Sequence, residues 1–402
     1  MASKSLVAVN SRSPVRWAIV PDSWILQGVC LVFGLLFVGQ CYDSLDRICK
    51  LISVAISFAC FFTVAVHDYG FRKTEVLYMT LIFTFLLFEY VYVGYKYQQP
   101  LTTSFSGTYY YCYAVLLPVF NYLLERISRE RVLDALESAA LVISIFMLIV
   151  ASLMNFGGIN ITQVTRQRSD TIRIVALVLV QMCPIISLYL YINNISNKLK
   201  HIIALVVCLT ALVYVSQSRL NILVIIVCLA LTLILHYRKN AALTFIALCI
   251  VLMVGGSLIL FGPLGQLLGS FSLNSEYGGN TLTRIWETDY YLELFRTNPF
   301  NGTGLITYGT PAYSIIAGPY GNYYIDDVGI IGALAMTGLW VVPIFIIPLI
   351  VLIVCVARQD CWKGLGWPII LYVACTMFTW LPTFPYFDPV WLFILAFFCS
   401  KI

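Results

Sequence analysis

The groups best equipped for chemistry in this 402-residue chain are six arginines spread over positions 166–296: Arg166, Arg168, Arg173, Arg219, Arg284 and Arg296. Arginine presents a planar fork that matches phosphate or carboxylate oxygens in bidentate fashion, which lysine cannot do. Acidic partners stand close by in sequence. Glu287 follows Arg284 and Glu293 precedes Arg296 by one helical turn, a spacing that allows surface ion pairs. Asp326 and Asp327 come after Asn322, where they either favour a helix N-terminus or act on a substrate hydroxyl. Glu276 and Asp289 are further base candidates. Only His67, His201 and His236 are available, with no HExxH and no ligand spacing, which argues against a zinc hydrolase or a Ser-His-Asp site. No metal and no cofactor is expected.

The elements that must position these groups are membrane helices. Hydrophobic residues make up 60% and charged residues 11% of the chain, against about 45–50% and about 25% in soluble domains. This excludes a soluble enzyme or a disordered protein, and the net charge of +5 is too small to suggest nucleic acid. A span takes about 20 apolar residues. The apolar runs predict an all-α, polytopic helical membrane protein with about twelve spans, at 24–41, 48–67, 74–95, 107–124, 137–155, 173–193, 201–218, 220–237, 241–261, 328–356, 367–382 and 387–401. The organisation is nine N-terminal helices in 1–261, a large loop at 262–325 and three C-terminal helices in 326–402. The first span lacks a small-residue cleavage site before it and reads as a retained helix.

Lysine and arginine set the orientation. With both termini inside, 15 of the 24 basic residues fall in inside segments, among them Arg72, Arg129, Lys200 and Arg358. Arg166, Arg168, Arg173, Arg219, Arg284 and Arg296 then lie outside, against the topology signal, and a lipid-linked pyrophosphate at that face would account for them. In the outside loop, 281–297 reads as a short amphipathic helix lying at the membrane surface, with Ile285, Leu292 and Phe295 on its apolar side and Pro299 ending it. Glu89 lies within the third span, where a carboxylate faces a cavity or snorkels outward. Tyrosines at 90–97 and 109–113 suggest an aromatic belt or a glycan-binding rim. Most of the 13 cysteines sit in apolar runs as packing residues, and Cys41–Cys49 is the one bridge the spacing allows.

The order of several motifs from Gln163 to Gly338 resembles the O-antigen polymerase and O-antigen ligase superfamily of bacterial inner membranes. They are TRQRSDT at 165–171, VSQSRLNIL at 215–223, LTRIWE at 282–287, NPFNGTG at 298–304 (similar to a Pro-x-x-Gly-x-Gly pattern) and GNYYIDDVGIIG at 321–332. The resemblance implies transfer of a glycan from undecaprenyl pyrophosphate at the periplasmic face, without metal or nucleotide sugar. It makes Arg219 and Arg284 the catalytic arginines that hold the pyrophosphate, with Arg166, Arg168, Arg173, Arg296, Asn322, Asp326, Asp327 and Glu287 as substrate-binding groups. Ligases of the family carry a His-Asn pair where this chain has Gly321-Asn322, so the resemblance favours the polymerase, in a multi-pass inner-membrane protein with both termini cytoplasmic. The partners implied are the undecaprenyl-pyrophosphate-linked oligosaccharide, membrane lipid and a chain-length-regulating membrane protein, with no nucleic acid. A ligase and a lipid-linked oligosaccharide flippase are the alternatives; a flippase would show inverted repeats and helices broken at the midplane.

Overall fold

A computed structural model describes residues 21–67, 69–157, 166–168, 171–195, 197–216, 219–237, 278–359, 362–377 and 388–400. The chain is a helical membrane protein. Among the described residues, five helices are long and apolar enough to cross a bilayer: Asp22–Cys41, Leu45–Val66, Lys73–Tyr97, Arg129–Gly157 and Lys198–Ser216. Shorter apolar helices complete the bundle at Val178–Ile192, Asn221–Tyr237 and Pro389–Cys399. The span expected at 241–261 lies outside the described residues. Large apolar side chains stand exposed along these helices, Leu77 at 70% and Phe62 at 60%, as expected where lipid tails replace water.

Two expected spans have a different build. The run 107–124 forms a tight turn of helix at Tyr109–Val115 followed by the helix Leu116–Arg126, and both are buried in the bundle. Tyr109, Tyr110, Tyr111 and Tyr113 are therefore core residues rather than an interfacial belt. The run 328–356 bends by 109° between Ile330–Trp340 and Val342–Arg358. Gly338 takes a left-handed φ of 59° at the break, and Pro343 follows without an N–H to continue the ladder. Cys41 and Cys49 are free thiols, not a bridge.

Side-chain bonds define the two ends of the bundle. At one end Arg72 pairs with Glu125 at 2.6 Å, Arg129 donates to Ser400 Oγ at 2.8 Å, and Tyr122 donates to Asp22 at 2.7 Å. Lys200 meets Asp134 there at 2.6 Å. Basic residues expected on one side of the membrane thus converge at one end. At the other end Gln40 Nε2 donates to the Val175 carbonyl at 2.9 Å, and the Ile330 N–H donates to the Met377 carbonyl at 2.7 Å. Helix Val178–Ile192 runs antiparallel to Lys363–Thr376, because Tyr372 bonds Gln181 at 2.8 Å while Tyr189 lies against Trp362. This sets Ile174, Met377 and Ile330 at the same end, called here the loop end.

Candidate functional site

The loop motif NPFNGTG docks on the broken helix. The last carbonyls of helix Ile330–Thr337 have no partner within the helix, and the loop supplies them: Thr303 N–H donates to Ala335 O and Gly304 N–H to Met336 O, both at 2.8 Å. In return Leu339 N–H donates to Pro299 O at 2.9 Å. A side chain at Gly338 would lie 2.4 Å from Phe300 O, so the close approach of the two backbones requires glycine there. Helix Lys73–Tyr97 braces the same loop. Glu89 accepts the Leu305 N–H at 3.0 Å, and Gln99 both accepts from Thr307 N–H at 3.0 Å and donates to Leu305 O at 3.2 Å. Glu89 is fully buried and neither snorkels nor meets solvent. It satisfies an amide of a loop that must be held away from water.

Helix Gly278–Thr297 carries the loop's functional groups. Its packed face is not the Ile285–Leu292–Phe295 stripe. Ile285 is exposed, whereas Glu287, Tyr290, Tyr291 and Leu294 face the helix and loop that contain Tyr323, Val328 and Ala335. The neighbouring segment offers this side both an apolar surface and backbone groups that its polar atoms can bond. Tyr290 and Tyr291 hydroxyls donate to Ile315 O at 2.6 Å and Ile316 O at 2.7 Å. One turn nearer the helix start, Glu287 accepts the Tyr324 N–H at 3.0 Å. A further turn on, Arg284 Nη2 stands 3.8 Å from Asp327 Oδ2.

Arg284 and Asp327 are half exposed, at 53% and 45%. Glu287, between them and the core, is 1% exposed. Burial pushes its carboxyl above the ordinary range; the Tyr324 N–H pulls it down, Asp327 raises it, and Arg284 lowers it. The expected Arg284–Glu287 surface pair is thus replaced by Arg284–Asp327, with Glu287 bonded to backbone instead. Asp327 sits in the turn Ile325–Val328, one element before the helix Ile330–Thr337. Arg296 pairs with Glu293 at 3.4 Å on the exposed side. It lies twelve residues beyond Arg284, or about 18 Å along the helix axis, and the structure does not bring it to the same place. Asn322 is exposed in the turn before Tyr323.

The remaining arginines are placed by backbone. Strands Arg166–Arg168 and Thr171–Arg173 form an antiparallel hairpin, the only strands among the described residues. Arg166 is paired with Arg173, and Arg168 follows Arg166 by two, so the register puts all three positions on one face. Ile174 N–H donates to Val215 O at 3.2 Å, which ties the hairpin to the end of helix Lys198–Ser216, close in sequence to the start of helix Arg219–Tyr237. Positions 166, 168, 173 and 219 therefore share the loop end with Ile330. The side chains of Arg166, Arg168, Arg173, Arg219 and Asp326 lie outside the described part of the structure.

Sequence reasoning missed Gln99, Tyr290 and Tyr291. Each bonds backbone groups well separated from it in the chain, which no local spacing announces. It also missed an ionic cluster at the opposite end. Glu137 bonds His201 Nδ1 at 2.7 Å, both buried, with Lys200 Nζ 3.6 Å from the same carboxylate. Asp134, Glu137 and His201 form the only grouping with metal-ligand potential among the described residues. The Lys200 ammonium already supplies the cation there, so the group is a salt-bridged brace between two helices.

The fold and site define a polytopic membrane protein whose docked loop brings Arg284 and Asp327 together at one end of the bundle. Residues 204–331 match the family model described as O-Antigen ligase. That segment is about a third of the chain, and over it the sequence is similar to this family, whose chemistry is glycosyl transfer. A comparison with curated proteins finds no match. The matched segment takes in Arg219, Arg284, the docking motif and Asp327.

Proposed function

We propose that this protein polymerises oligosaccharide repeat units carried on undecaprenyl pyrophosphate, building O-antigen or a related surface polysaccharide at the periplasmic face of the bacterial inner membrane. The observation that carries the reading is the half-exposed Arg284–Asp327 pair at the loop end, the end that also holds the hairpin of arginine positions and the start of the Arg219 helix. A contact of this kind contributes only about 0–1 kcal/mol, so an incoming diphosphate separates the pair at little cost. Arg284 then stabilises charge on the departing pyrophosphate, and the freed Asp327 carboxylate takes the proton of the attacking hydroxyl. The new bond joins that hydroxyl oxygen to the anomeric carbon of the donor sugar as the bond from that carbon to pyrophosphate breaks. Holding two lipid-linked substrates at one end supplies proximity. The step uses no metal or cofactor.

A ligase is the second reading, favoured by the description of the matching family. Against it stands position 321, which in ligases of the family carries the histidine base. Here it is an exposed glycine with a left-handed φ of 70°. Gel analysis of lipopolysaccharide from a strain lacking the protein separates the readings. Loss of a polymerase leaves single repeats capped on the lipid A-core. Loss of a ligase leaves bare core with polymer stranded on the carrier, and loss of a flippase leaves bare core with single repeats inside.

A further inference from the structure

Along helix Gly278–Thr297 the loop segment 315–327 is fastened turn by turn, Tyr290 and Tyr291 to Ile315 and Ile316, then Glu287 to Tyr324, then Arg284 to Asp327. Within the segment, the N–H groups of Gly321, Tyr323 and Asp327 bond to Gly318, Ala317 and Tyr324 carbonyls, all inside the loop. The helix reaches residues 321–327 by hydrogen bond through Glu287. Its second oxygen, Oε2, is buried with no hydrogen-bond partner among the described residues. Burying a half-satisfied carboxylate is costly, and a leucine of similar size would fill the space without that cost. At 1% exposure Glu287 does not itself meet a substrate, whereas Arg284 and Asp327 on either side do face solvent.

We infer that Glu287 is a positioning residue: by accepting the Tyr324 N–H it sets the register of segment 320–327 on the helix, and so fixes where Asp327 stands relative to Arg284. This replaces the sequence expectation of a substrate-binding glutamate, and it rests on the reading of Arg284 and Asp327 as the reacting pair. The bond needs an acceptor at the end of a side chain of this length, not a charge.

The test measures initial rates of polymer formation by the full-length protein in liposomes, with lipid-linked single repeats as substrate, for Glu287→Ala, Glu287→Gln, Arg284→Ala and the double alanine variant. Glu287→Ala should lower kcat by about tenfold with little change in KM, and Glu287→Gln should recover most of that loss through its amide oxygen. In the Arg284→Ala background, Glu287→Ala should cost less than about twofold more, because the two residues act through one arrangement. A raised KM at unchanged kcat, a Gln variant as impaired as Ala, or fully multiplicative losses would each overturn the assignment. If Glu287→Ala does not insert, Glu287→Asp takes its place. It keeps the charge but draws the carboxylate back by one methylene, so it should be worse than Glu287→Gln, and the reverse order overturns the proposal. Full activity in Arg284→Ala would instead remove the reacting pair itself, whatever the Glu287 variants do.

Discussion

Substituting Gly338 by alanine should release the loop from the broken helix, and the size of the effect follows from the geometry. The added Cβ would lie 2.4 Å from Phe300 O, 2.5 Å from Phe300 C and 2.6 Å from Pro299 O. These are backbone atoms, so no side chain can swing aside, and the turn must retreat by about 1 Å to reach ordinary contact. That breaks the Leu339–Pro299 bond and drags with it the Thr303–Ala335 and Gly304–Met336 bonds, each contributing roughly 0.5–1.5 kcal/mol. The left-handed φ of 59° adds a penalty of about 1–2 kcal/mol for alanine. The sum is about 2.5–6.5 kcal/mol, or on the order of 100-fold or more in the population of the undocked loop. Gly309→Ala is the matched control. Its φ is 83° but a Cβ there meets nothing within 4 Å, so only the penalty of about 1–2 kcal/mol applies. Limited proteolysis of the detergent-purified protein, read by mass spectrometry across 298–310, reports the open population when reclosing is fast. Gly338→Ala should be cut far faster than Gly309→Ala. Equal cleavage of the two would refute the docking argument.

Three other outcomes are expected. Arg219→Ala and Arg284→Ala should each reduce polymer formation on the order of 10–100-fold at matched protein level, with lysine rescuing only partly because it keeps charge and loses the fork; near-normal polymer length in both would contradict this. Glu89→Leu should leave the buried Leu305 N–H without an acceptor and lower stability by about 1–3 kcal/mol, seen as a drop in Tm, while Glu89→Gln should lose less. Thiol labelling of Gly279→Cys should occur from the periplasmic side only, and labelling from the cytoplasmic side alone would overturn the orientation.

What was legible in the sequence is what periodicity and charge report. The helical membrane class, the extent of most helices and the segregation of basic residues all follow from apolar runs and Lys/Arg placement. Arg296 pairs with Glu293 as spacing suggests, since both stay on an exposed helix face where only local neighbours compete. Arg284 does not follow the same rule. A carboxylate 43 residues away in sequence, Asp327, arrives through the fold and takes the place of Glu287. The tyrosines 109–113 look like an interfacial belt because composition cannot distinguish a lipid boundary from an aromatic core. The break at Gly338 was hidden in an unbroken apolar run, because hydrophobicity counts residues and does not see φ. The Pro-x-x-Gly-x-Gly motif was recognisable as a pattern, but its physical work, capping a helix that stops inside the membrane protein, needed the partner carbonyls of Ala335 and Met336.

The central claim is most directly tested by reconstituting the purified protein in liposomes with undecaprenyl-pyrophosphate-linked single repeats as the only substrate. A ladder of lipid-linked polymer is expected without ATP, added metal or lipid A-core, weakened strongly by Arg284→Ala. Single repeats left unjoined until lipid A-core is added, and then transferred to it, would contradict the polymerase reading and favour the ligase.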